Sequence, residues 1–138
     1  GELARLSLAV QVSCMNDAAP CMVFDEVDAG IGGAVAEIVG RELRRLGGDS
    51  QVLCVTHLPQ VAAQGHQHFR VAKLTDGKTT RTAVTALKDD ARVEEISRML
   101  GGVEITARAR AHAVEMLANA AADKRPAARV PRRSRPAR

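Results

Sequence analysis

The chain has 138 residues, a length that favours one domain, and 46% of them are hydrophobic, enough for a packed core. Only 1% are aromatic, with two Phe and no Trp or Tyr, so the core is aliphatic and a single-strand nucleic-acid reader built on aromatic stacking is disfavoured. The net charge of +4 hides a split: residues 124–138 carry seven basic side chains and no acid, which leaves the preceding body at −3.

In chain order, "GELARLSLAVQV" sets Leu3, Leu6, Ala9 and Val10 at helical spacing, which predicts a helix over about 2–15 that "NDAAP" ends. "CMVF", from Cys21, is a continuous apolar run, the mark of a strand covered on both faces. A helix of about 33–46 follows, with Val35, Ile38, Val39, Leu43 and Leu46 alternating against Glu37, Arg41 and Arg44, and Gly47-Gly48 stopping it. "QVLCVT" is a second buried strand, and "LPQVAAQ" a short helix with Pro59 in its first turn. Strand, helix, strand is a βαβ unit with parallel pairing. The pattern then changes to two alternating runs around Thr75-Asp76-Gly77-Lys78, a hairpin with an Asp-Gly turn. "ARVEEISRMLGG" and "EITARARAHAVEMLANAA" read as two helices. From Asp123 onward the Pro/Ala/Arg composition carries no core pattern, so residues 123–138 read as a basic, disordered tail. That tail is read equally as a DNA-phosphate contact or as a dispensable solvated extension.

The three cysteines, Cys14, Cys21 and Cys54, form no CxxC and lie in apolar segments, so they read as buried free thiols in a reducing cytosol. No apolar run approaches the ~20 residues of a membrane span. Two parallel strands are too few for an α/β layer, which typically holds about 4–6. The remaining strands are expected from upstream sequence or from another chain.

Ligands of open α/β sheets bind beyond the carboxyl ends of the strands. Here the first strand ends at Asp25-Glu26 and the second at Thr56-His57, and parallel pairing puts both pairs on one edge. Asp25 suits Mg²⁺, through water, because Mg²⁺ takes few carboxylates and keeps several waters. Glu26, one residue on, suits orientation or activation of a water that attacks a phosphoryl group. His57 suits a hydrogen bond to a phosphate oxygen. Gly30, Gly32 and Gly33 allow close backbone approach. Alone, an Asp-Glu pair is a solvated turn and a His after a strand is a cap; their joint placement weakens those readings.

The segments "GELARLSLAVQV", "MVFDEVDAGIGG" and "VLCVTHLPQVAAQGHQHFRVAK" resemble the C-terminal half of an ABC-type ATPase head, and more narrowly the RecN family of SMC relatives. The resemblance covers about residues 1–120 and implies an α/β P-loop NTPase fold: a parallel βαβ core, a β-hairpin and C-terminal helices over 1–122. It implies that Gly1 and Glu2 end the signature motif, which contacts nucleotide held by a facing head. It makes Met22 to Glu26 the Walker B strand, with Asp25 as Mg²⁺ partner and Glu26 as catalytic glutamate. Asp28, Gly30 and Gly32 fall in the D-loop at the dimer interface, and His57 is the switch histidine. ATP and Mg²⁺ are the implied ligands. The implied partners are the N-terminal half of the same head, a second head in a homodimer, and DNA, with no membrane. The implied setting is the cytoplasm, on the nucleoid, in repair of DNA double-strand breaks and recombination.

No GxxxxGK[ST] phosphate loop occurs in the sequence, so this chain alone is expected not to hydrolyse ATP, and to pair or aggregate through its open sheet edge. The alternatives are a head of another SMC-like chromosome-organising ATPase and a non-catalytic interaction module.

Overall fold

The computed structural model describes residues 21–25, 27–48, 50–76, 79–102 and 104–122. The expected first helix, the signature residues Gly1 and Glu2, Cys14, Glu26 and the basic tail lie outside the described residues.

Strands β1 (Cys21–Asp25) and β2 (Gln51–Val55) pair in parallel, with Cys21 opposite Gln51 and Asp25 opposite Val55, so their carboxyl ends are level. Helix α1 (Gly33–Leu46) connects them, as the 3.6-residue apolar period requires. Its Ala36, Val39 and Leu43 meet Met22 and Phe24 of β1 and Val61 of the short helix α2 (Pro59–Ala62) in one buried cluster. Helix α1 and α2 touch almost backbone to backbone at Gly40. A Cβ there would stand 2.8 Å from Gln64 Cγ and 3.1 Å from Val61 Cα, so only glycine fits without a shift.

The expectation that both strands are covered on both faces is corrected. Met22 and Phe24 are buried, but Val23 is 68% and Val55 61% exposed, and Leu53 is exposed beside them. An unbroken apolar run says that both faces are hydrophobic; it does not say that this chain supplies both covers. Cys21 lies on that open face, so it too is exposed rather than buried, while Cys54 is half-buried.

Strands β3 (His68–Thr75) and β4 (Thr80–Leu87) form the expected antiparallel hairpin. The Asp76 N–H donates to Thr79 O at 3.2 Å, and Asp76 Oδ1 accepts from both Thr79 N (2.9 Å) and Thr79 Oγ1 (2.9 Å). The side chain thereby locks the neck of the turn, as Asp does in such loops. Helices α3 (Asp89–Gly101) and α4 (Ala107–Ala122) pack on α2 through a second core of Ala63, Ile96 and Ala113, flanked by Val93, Met99, Leu100, Met116 and Leu117. Asp89 and Asp90 favour the positive end of α3, and Gly102 ends it with φ +75°. The Thr106 hydroxyl caps α4 by accepting Ala109 N at 3.1 Å. No helix among the described residues is long and apolar enough to cross a membrane.

Candidate functional site at the strand ends

The level register of β1 and β2 brings the residues after Asp25 and after Val55 to one edge. Asp25 is the last residue of β1, is exposed, and forms no ion pair among the described residues. Two residues past Glu26 the chain turns. Ile31 N donates to Asp28 O at 3.2 Å, and Gly30, third in this 28–31 turn, has φ +71°, the left-handed value that a type II turn demands there.

The turn drives the Asp28 side chain inward. Asp28 is only 2% exposed, and its Oδ2 is the meeting point of the two loops. Thr56 Oγ1 donates to it in a short hydrogen bond, and His57 N donates to it at 3.1 Å. His57 Nδ1 lies 3.4 Å from the same oxygen, while the imidazole itself is 75% exposed. Thr56 Oγ1 in turn accepts Leu58 N at 3.0 Å, which carries the network into the start of α2. A buried carboxylate is costly unless it is hydrogen-bonded, and here two donors and a ring nitrogen converge on one oxygen.

The far end of α2 is held as firmly. Arg92 of α3 donates through Nη2 to Ala63 O (3.1 Å) and Gly65 O (2.5 Å), and Arg44 of α1 donates to Gln64 O at 2.7 Å. The segment 56–65, which carries His57 at its start, is therefore anchored at both ends. Nearby, burial first and then the Arg92 charge pull the His68 pKa down, against the raising effect of Glu95. The Arg98 hydrogen bond first holds the Glu95 carboxyl below its ordinary range. Burial, then Asp28 and Asp25, push the Cys54 thiol up to about 11, so it stays protonated at neutral pH.

Of the residues the sequence singled out, the structure brings Asp28 and His57 into contact and sets Asp25 on the same edge. Gly32 and Gly33 open α1, and Gly33 has φ +55°. A Cβ on Gly32 would meet nothing within 4 Å, so packing inside this chain does not require glycine there. Thr56 carries a structural role that the sequence reading left unassigned; its position two residues before a helix amide, with Pro59 at N1, was the available signal. Among the described residues no group of three or more His, Cys, Asp or Glu could hold a metal by itself. A single exposed, unpaired carboxylate such as Asp25 still fits Mg²⁺, which binds through one or two carboxylates with phosphates and water completing its shell. The Gly-Lys-Thr at 77–79 joins two antiparallel strands, a context unlike the strand-to-helix phosphate loop.

The chain superposes on a solved SMC ATPase, from work on ATP-driven dimerization and DNA-stimulated activation of SMC ATPases. The TM-score is 0.63 at 21% identity, with 75% of this chain and 63% of that chain covered. The architecture is thus α/β, that of the C-terminal half of an SMC-type, ABC-class ATPase head.

No family model matches the chain. It is 58% identical over 118 residues to the DNA repair protein RecN of Xylella fastidiosa, and 50% identical over 125 residues to that of Streptomyces coelicolor. The RecN protein of Deinococcus radiodurans is also 50% identical, over 118 residues. These alignments cover 85% to 90% of this chain, and the chain belongs to the RecN family. It spans about a fifth of the length of these relatives, 21% to 22%.

Proposed function

We propose that this segment is the part of an ATP-hydrolysing head that carries the hydrolytic side chains, in a protein that repairs DNA double-strand breaks. The observation that carries the reading is the strand-end edge: Asp25 and the Asp28–His57 pair are placed together by the parallel register of β1 and β2.

In this reading Asp25 would hold Mg²⁺ through water, and the ion would supply charge neutralisation for the phosphates. Glu26 orients the attacking water and accepts its proton, and His57 contacts the terminal phosphate through its exposed ring. Gly1 and Glu2 end the signature segment and face nucleotide held by a second head. The segment from Asp28 to Gly32 runs along that second head, and the unfilled space at Gly32 supports a close approach there. ATP is thereby held between two heads, and its hydrolysis releases them and changes the grip on DNA. The remainder of the head supplies the phosphate loop, so residues 1–138 alone are inactive. Such a protein works in the cytoplasm, at the nucleoid.

The test is steady-state ATP turnover by the full-length protein that contains this segment. Glu26→Gln should lower kcat by about 100-fold or more while ATP binding persists, since it removes the base and keeps the shape. Unchanged turnover in Glu26→Gln would refute the assignment. Loss of binding together with turnover would show that Glu26 holds the ligand rather than the water.

A further inference from the structure

We infer that Asp28 is the positioning residue for His57: its buried carboxylate fixes the histidine loop from below and ties it to the glycine-rich turn that follows β1. The inference rests on the reading of His57 as a phosphate-contacting group.

Three observations carry it. The His57 ring is 75% exposed, so packing does little to set its orientation, and its one polar side-chain partner among the described residues is Asp28. Asp28 is 2% exposed, and Thr56 Oγ1 and His57 N donate to one oxygen, Oδ2, while His57 Nδ1 lies 3.4 Å from it. With Nδ1 turned to the carboxylate, Nε2 lies across the ring, away from Asp28, where an anionic ligand can be met. A carboxylate that orients a histidine through one nitrogen while the other does chemistry is a recurrent arrangement.

The third observation gives the contact a second consequence. Asp28 O also closes the 28–31 turn by accepting Ile31 N, so the residue is shared by both loops. Asp28 thus joins the 28–31 turn, through its carbonyl, to Thr56 and His57, through its carboxylate. Asp28 therefore faces inward, not toward a second head. Its part in head contact is indirect, through the position it gives to its neighbours.

The experiment uses the full-length protein with two readouts. The first is hydrogen exchange, by mass spectrometry, of a peptide covering residues 55–60. Asp28→Ala should speed exchange there by about tenfold or more, while peptides within α1 stay unchanged, because the acceptor of the His57 amide is gone. Asp28→Asn, which can offer an amide oxygen in the same place, should recover most of the protection.

The second readout is ATP turnover. Asp28→Ala should lower kcat by about tenfold or more with a smaller change in KM. On a His57→Ala background it should add less than about twofold, because it acts through His57. Equal loss from Asp28→Ala with and without His57 would overturn the inference, and so would unchanged exchange over 55–60. If Glu26→Gln turns over ATP normally, the ATPase reading fails and the exchange result alone decides whether Asp28 positions His57.

Discussion

Replacing Arg92 by Ala removes one side chain from α3 and should loosen α2 specifically. Helix α2 has four residues, so its polar backbone groups are nearly all terminal ones. Its amides are satisfied locally: Ala62 N donates to Leu58 O at 3.0 Å and Ala63 N to Pro59 O at 2.9 Å. The carbonyls of Ala63, Gln64 and Gly65 instead accept from Arg92 and Arg44. A hydrogen bond from a charged donor contributes roughly 1.5–3 kcal/mol, and Arg92 makes two good ones. Against this, burial and the Arg44 charge disfavour the Arg92 cation, and its Nε is buried without a partner among the described residues. The net cost of Arg92→Ala is then about 2–4 kcal/mol. The assay is hydrogen exchange at the Ala62 and Ala63 amides in the full-length protein, where about 2 kcal/mol corresponds to roughly 30-fold faster opening. Arg92→Lys keeps the charge but not the rigid planar group that holds Nη2 between the two carbonyls, so it should recover only part of the protection. A change of less than about threefold at these amides in Arg92→Ala would refute the clamp.

Gly40→Ala should destabilise the head by about 1–2 kcal/mol, because overpacking against Val61 and Gln60 outweighs the ~1 kcal/mol gain in helix propensity; a urea midpoint equal to wild type would contradict this. Acidification should destabilise the fold through His68. The His68 pKa is held below its ordinary 6.5, so the unfolded chain binds the extra proton, and the stability this group contributes is complete above that value and lost as pH falls below it. Glu95, held below its ordinary 4.5, keeps its contribution until pH falls lower still. His68→Gln should flatten the fall in melting temperature between about pH 7 and pH 5, and an unaltered slope would exclude His68 as its source.

The elements were legible because period and punctuation agreed. The 3.6-residue pattern over 33–46 and the glycine pair after it gave α1 with its observed bounds, and the two alternating runs gave β3 and β4. Coverage was not legible. Val23 and Phe24 are adjacent and equally apolar, yet one is open and one buried, because strand neighbours point to opposite faces and only one face meets α1. Helix α4 was expected from residue 104 and starts at Ala107, since the Thr106 hydroxyl takes the cap.

The site shows the same division more sharply. Strand direction and expected parallel pairing could place Asp25, Glu26 and His57 near one edge, and the family resemblance added Asp28. They could not show which way Asp28 faces. Its direction depends on the turn at Gly30 and on a hydroxyl 28 residues away in sequence at Thr56, and neither leaves a periodic signal. The consequence is chemical. A carboxylate three residues past Asp25, if it faced solvent, would add to the charge that repels a triphosphate. Turned inward and bonded to Thr56 and His57, its oxygens face neighbouring donors rather than the open edge. Under the proposed ATPase reading, the burial of Asp28 is part of what would let so acidic a stretch of chain receive a triphosphate.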